Sequence, residues 1–200
     1  MHISEGVLPA WEIAVGWGFT SLGLFWGLRK LEGEKLVLTA LLTSLFFVAS
    51  LIHVPVGISS THLMFNGFLG LLLCEAVFPA LFVGLLLQAI LFQFGGLFVL
   101  GVNTFNLAFP ALLSCLLFRR WIFSEGIRFY AGAFLSALVA IFGSGLLLSV
   151  ELSLIGEHFL TGAGLILLIH LPIATVEGII YIFLLGFIKK VYPNILETGK

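Results

Sequence analysis

The sequence predicts an all-α integral membrane protein of about seven transmembrane helices, forming one domain over residues 1–200. Three observations predict it. Of the 200 residues, 60% are hydrophobic and only 10% are charged, against roughly 25% charged in an ordinary soluble domain. The mean hydropathy is +1.21. The apolar residues also fall into runs near the length of about 20 residues that a membrane crossing needs, parted by charges and Gly/Pro/Asn clusters. The surroundings implied are the lipid bilayer of a cell (inner) membrane, crossed several times. A net charge of −1 gives no basic footprint, so nucleic acid is not an expected partner.

The first span, 9–28, follows "MHISEGVL", which contains no Lys or Arg. A secretory signal would begin with positive charge and carry a shorter apolar stretch, so the N-terminus reads as retained. The second span is 36–53. The third, 61–74, is short and broken, because "HVPVGISSTH" before it contains Pro55 and Gly57. Irregular backbone at membrane depth survives only inside protein or along a wet cavity, so this segment is expected to dip into the protein. The remaining spans are 76–94, 104–118, 128–150 and 161–188. Cys74 and Cys115 are isolated in apolar runs without metal-type spacing and read as packing thiols.

Basic residues collect on the cytoplasmic side of membrane proteins. An outside N-terminus and a cytoplasmic C-terminus put Arg29, Lys30, Lys35, Arg119, Arg120, Arg128, Lys189, Lys190 and Lys200 on the cytoplasmic side. These are all nine basic residues of the chain.

With that orientation the opening residues become chemistry. Methionine aminopeptidases remove Met only before a small residue, so Met1 before His2 is expected to stay and to present a free α-amine. That amine, the backbone nitrogen of His2 and the Nδ1 of its ring can close a five-membered and a six-membered chelate ring on one ion. The set is nearly planar, which suits Ni(II) or Cu(II), and imidazole also serves Co(II). A fourth ligand must come from His53, His62, His158 or His170 on the same side. His62 is the best placed, on the broken segment where a polar group needs a use. His53 and His170 also read as hydrogen-bonded span-end residues, and His158, beside Glu157, as solvated. Ser60, Gln88, Gln93, Asn103, Asn106 and Glu177 are the other polar residues that need explaining. Glu177 is the costliest, since a mid-helix acid costs about 2.5–3.5 kcal/mol to insert, and both a helix-pairing and a transport role are open to it.

The stretches "MHISEGVLP", "VPVGISSTHLMFNG", "LLLQAILFQFGGLFVLGVNTFN" and "HLPIATVEGIIYIF" resemble, in order and spacing, the cobalt/nickel substrate-binding membrane component of energy-coupling factor transporters, the CbiM/NikM family. The resemblance spans nearly the whole chain. It implies a Co(II) or Ni(II) ion as the transported ligand, held by the amine of Met1, the backbone and ring nitrogens of His2, and His62. It also implies partners: a transmembrane coupling protein, two cytoplasmic ATPases and, in many systems, a small accessory membrane protein. Many cobalt members read "FGHGG" where this chain has "FQFGG", so Phe94 stands in place of a histidine.

The chain has no GxxxxGK[ST] phosphate loop, so ATP hydrolysis is assigned to other subunits. It has no HExxH, no GxSxG and no Asp, which argues against an intramembrane hydrolase. The alternative is a transporter subunit for a non-metal substrate such as a vitamin, which would have no use for a free Met1 amine. Cobalt and nickel are not separated by these residues.

Overall fold

The computed structural model describes residues 3–56, 59–156 and 160–198. Its helices are α1 (Ala10–Leu28), α2 (Glu34–Ser50), α3 (Asn66–Leu73), α4 (Val77–Phe92), α5 (Leu100–Ile122), α6 (Ile127–Ile155), α7 (Leu160–Val191) and α8 (Pro193–Thr198). A 3₁₀ turn, Cys74–Ala76, joins α3 to α4.

The expectation of an all-α chain needs one correction. The stretch 53–62, expected to be an irregular dip leading into a span from residue 61, instead contains a hairpin of β1 (His53–Val56) and β2 (Ser59–His62), antiparallel in the register His53↔His62, Val54↔Thr61, Pro55↔Ser60 and Val56↔Ser59, and the helix starts only at Asn66. Pro55 cannot donate to a helix ladder, and Val54, Val56 and Thr61 are β-branched residues that favour extended backbone. The second helix accordingly stops at Ser50, short of the expected residue 53.

Small residues decide which face of each helix turns inward. In α1 the buried positions are Glu12, Gly16, Thr20, Gly23 and Gly27, while Trp11, Phe19, Leu22, Phe25 and Trp26 are exposed. Soluble proteins show the reverse pattern, but in a bilayer large apolar groups meet lipid and small residues let backbones approach. A Cβ at Gly23 would collide with the Phe78 ring. In α6 the inward stripe is likewise small, with Gly132, Ala133, Ser136, Ala137, Ala140, Ser144 and Gly145.

Every residue of α3 is buried, so the shortest of the expected spans is the centre of the bundle. It runs parallel to α5. Asn66 donates to the Leu107 carbonyl, Gly70 lies against the backbone of Ala111, and Cys74 is bonded to Cys115 with a Cα–Cα separation of 5.5 Å. This disulfide corrects the reading of two separate thiols. The parallel run of α3 and α5 brings both positions to one level, where Arg119 also donates to Cys74 Sγ at 2.9 Å.

The chain then reverses, with Cys74 at φ 49°, and α4 returns alongside α2, Thr43 meeting the Ala80 carbonyl and Ser50 meeting Gln88. Among the described residues, four stretches are long and apolar enough to cross a membrane: Asn66–Phe92, Leu100–Ile122, Ile127–Ile155 and Gly164–Val191. The first of these is a buried arm followed by a returning helix. α1 and α2, at 19 and 17 residues, reach about 26–28 Å at about 1.5 Å per residue, close to the hydrocarbon thickness.

Candidate metal centre

Met1 and His2, which carry three of the four expected nitrogens, lie outside the described residues, as do Gly57 and His158. The segment that follows them is firmly placed. The backbone N–H of Ile3 donates to Asn103 Oδ1 at 2.9 Å, and Asn103 Nδ2 donates back to the Ile3 carbonyl at 3.1 Å. The amide of Asn103 thus mimics a neighbouring strand. Glu5 is tied twice to the α4–α5 connection: its N–H donates to the Gly95 carbonyl at 3.3 Å, and its Oε1 accepts from Phe98 N–H at 3.1 Å. Ile3 and Leu8 are buried against Val102 and Leu148. The polar opening of the chain is therefore drawn into the bundle between α5 and α6.

His62, the last residue of β2, is 7% exposed. Its Nδ1 lies 2.9 Å from the Leu63 carbonyl. A carbonyl only accepts, so this contact puts the proton on Nδ1 and leaves the ring's lone pair on Nε2. The loop after it is held from across the bundle by Glu177, which is wholly buried in α7. One Glu177 oxygen accepts the Met64 N–H, the other accepts the Phe65 N–H at 2.9 Å, and the Tyr181 hydroxyl donates to it at 2.7 Å. Phe65 has a left-handed backbone and no side chain caps α3 from within, so a distant carboxylate supplies acceptors just before the helix start. Asn66 completes the clamp, donating to the Leu107 carbonyl at 3.1 Å, the Ala140 carbonyl at 3.3 Å and Ser144 Oγ at 3.0 Å. The loop carrying His62 is thus fixed to α5, α6 and α7 together.

The other expected residues have separate places. Gln88 donates to Ser50 Oγ at 2.5 Å, tying α4 to the end of α2 from which the hairpin springs. Gln93 takes the left-handed position that ends α4, with the next amide, of Phe94, donating to the Gln88 carbonyl. Asn106, one turn past Asn103, donates to Glu151 at 2.6 Å. His170 is buried against Gly145, with Nδ1 2.6 Å from the Ile166 carbonyl. Ser60 lies in β2, and the Cα of His53 is the register partner of His62, a juxtaposition that the sequence does not reveal. The sequence alone does not mark Asn66 and Tyr181 as functional; the Asn66-Gly67 pair within the broken third span is the signal it offers. Among the described residues no three His, Cys, Asp or Glu side chains gather as a metal cage.

Residues 2–195 match the family described as CbiM, cobalt uptake substrate-specific transmembrane region. The chain belongs to this family. Among its relatives, a putative metal transport protein of Haemophilus influenzae is 41% identical over 203 residues, covering 98% of this chain and 97% of that one. A protein of Rhodobacter capsulatus described as a fused nickel transport protein, NikMN, is 32% identical over 158 residues, covering 70% of this chain and 46% of the relative. The fold also matches a crystal structure described as a transition metal transporter, with a TM-score of 0.78 over 96% of this chain and 93% of that one at 24% identity. The chain is thus a membrane component of a cobalt/nickel transport family, whose named relatives are transport proteins.

Proposed function

We propose that this CbiM-family chain is the substrate-capture subunit of an ATP-driven uptake transporter for Co(II) or Ni(II). It holds the ion by the amine of Met1, the backbone and ring nitrogens of His2, and His62. The observation that carries this reading is the exchange of two hydrogen bonds between Ile3 and Asn103. Consecutive Cα atoms are about 3.8 Å apart, so ligands supplied by the two residues before Ile3 act within about 8 Å of a fixed, buried point. A free N-terminus would not need such anchoring. His62, at the end of β2 just before the loop held by Glu177 and Asn66, supplies the fourth nitrogen of that set.

The chain works as one domain, 1–200, with seven passes, the N-terminus outside and the C-terminus in the cytoplasm of a cell (inner) membrane, as the distribution of its nine basic residues supports. It lacks a phosphate loop, so two cytoplasmic ATPases act on it through a transmembrane coupling protein. A small accessory membrane subunit joins them; the relative named as a NikM–NikN fusion supports such an association. The reading is tested by titrating the purified protein with Co(II) and Ni(II), alongside His62→Ala and a form extended by one residue before Met1. Tight binding by the parent and its loss in both altered forms is the expected result. Equal binding by all three overturns it.

A further inference from the structure

A second group of polar atoms lies outside the nitrogen set. α1, α5 and α6 line a half-open cavity of about 140 Å³ walled by Trp11, Phe19, Phe105 and Leu154, into which Glu12 and Glu151 open. Glu12 is 5% exposed, and among the described residues neither of its carboxylate oxygens has a hydrogen-bond partner. Glu151 accepts one hydrogen bond, from Asn106 Nδ2. Asn106 is itself 3% exposed, and its own Oδ1 has no partner among the described residues. Both carboxylates line this one cavity, and among the described residues no Lys, Arg or His lines it.

Buried carboxylates are normally paired or bound to a cation. Glu12 is in the first turn of α1, where the helix dipole favours a negative charge, but Glu151 is near the C-terminal end of α6, where the dipole opposes one. A positive ion between the helices would offset that opposition.

We propose that Glu12, Glu151 and the Asn106 carbonyl form a second, all-oxygen site for a partly hydrated divalent cation of the Mg(II)/Mn(II) type. Oxygen donors without nitrogen or sulfur suit hard ions, and such ions keep several waters when the protein offers only a few ligands. At about 30 Å³ per water the cavity has room for roughly four waters' worth of ion and solvent. Both acids lie within a turn or so of their helix ends at the bundle face where α1 begins, so an ion can reach them from water. Asn103, which holds Ile3, precedes Asn106 by one turn of α5; the site therefore borders the N-terminal segment without sharing its ligands. It does not depend on the nitrogen centre.

The test uses full-length protein with a native N-terminus, purified in detergent, stripped of metal and titrated with Mn(II) while the signal of free Mn(II) is followed by electron paramagnetic resonance. The parent is expected to bind one equivalent and to gain thermal stability with it. Glu12→Gln and Glu151→Gln are expected to weaken binding by about tenfold or more and to lose that gain, whereas His62→Ala retains both. Asn106→Ser, a milder change, is expected to weaken binding without abolishing it. A parent that binds no Mn(II) overturns the proposal whether or not the variants fold. So does unchanged binding in both Gln variants, or loss of binding in His62→Ala alone, which would put the ion in the nitrogen centre. A pair that merely shares a proton would appear as Gln variants more stable than a parent that is indifferent to Mn(II).

Discussion

Ile3 and Asn103 exchange two hydrogen bonds across a hundred positions of sequence, one in each direction between a backbone amide and a side-chain amide. Both residues are buried. This pairing ties Ile3 into the bundle; on the proposed function, it makes Asn103 the residue through which α5 sets where ligands supplied by Met1 and His2 would act.

Asn103→Leu preserves side-chain size and removes the pairing. The N–H and carbonyl of Ile3 are then buried without partners, at about 1–3 kcal/mol each. The expected outcome is a folded protein whose Co(II) or Ni(II) affinity falls by at least about tenfold, since each 1.4 kcal/mol is a factor of about ten. Calorimetric titration measures this, and circular dichroism checks the helix content. Unaltered affinity would show that the N-terminal residues find their place without Asn103.

Glu177→Ala leaves the Met64 and Phe65 amides and the Tyr181 hydroxyl without their common acceptor. Removing the partner of several buried donors is expected to cost about 3 kcal/mol or more, lowering thermal stability and yield together with metal affinity. Glu177→Gln keeps an acceptor oxygen and is expected to lose less. If Glu177→Ala kept its stability yet failed to support uptake, the carboxylate would act in transport and the loop clamp would be secondary.

Much of this organisation can be read from the sequence, and what cannot has identifiable physical causes. His62, Asn103 and Glu177 stand out because a polar residue in an apolar span is expensive, which marks it whatever its partner. The partners themselves do not stand out. Asn66 reads as turn punctuation before Gly67, and Tyr181 reads as one more aromatic residue in an apolar helix, until α3 is seen packed among α5, α6 and α7. The Cys74–Cys115 bond depends on the parallel alignment of α3 with α5, a tertiary relation with no local signature. The β1–β2 hairpin displaced an expected helix start because Pro55 and the β-branched residues around it outweighed the apolar run that follows.

His62→Ala removes the ring that β2 presents while leaving the Glu177 and Asn66 clamps intact. The protein is therefore expected to fold with near-parental thermal stability and to lose high-affinity metal binding by at least about 100-fold, the upper end of what supporting residues alone contribute. Equilibrium dialysis against Ni(II) and Co(II) gives the affinity. A variant that binds as the parent does would remove His62 from the ligand set and turn attention to His53, its register partner.

The last expectation concerns the opening "MHI" itself. If the α-amine of Met1 is a ligand, one additional residue turns that amine into an amide and breaks the five-membered chelate ring, although every side chain is still present. An N-terminal tag is thus expected to abolish metal uptake as fully as His2→Ala, while a tag after Lys200 is tolerated. Acid has the same effect by another route. The amine and the imidazole bind metal only when deprotonated, and their reference pKa values are about 7.7–8.0 and about 6.5. Lowering the pH through these values lets protons compete with the ion, so affinity falls as pH falls and the metal is released in acid. Accumulation of Co(II) or Ni(II) in cells producing untagged, N-tagged and C-tagged forms with the same transporter subunits separates the cases. Full activity of the N-tagged form would exclude the amine as a ligand and, with it, the reason for anchoring Ile3 inside the bundle.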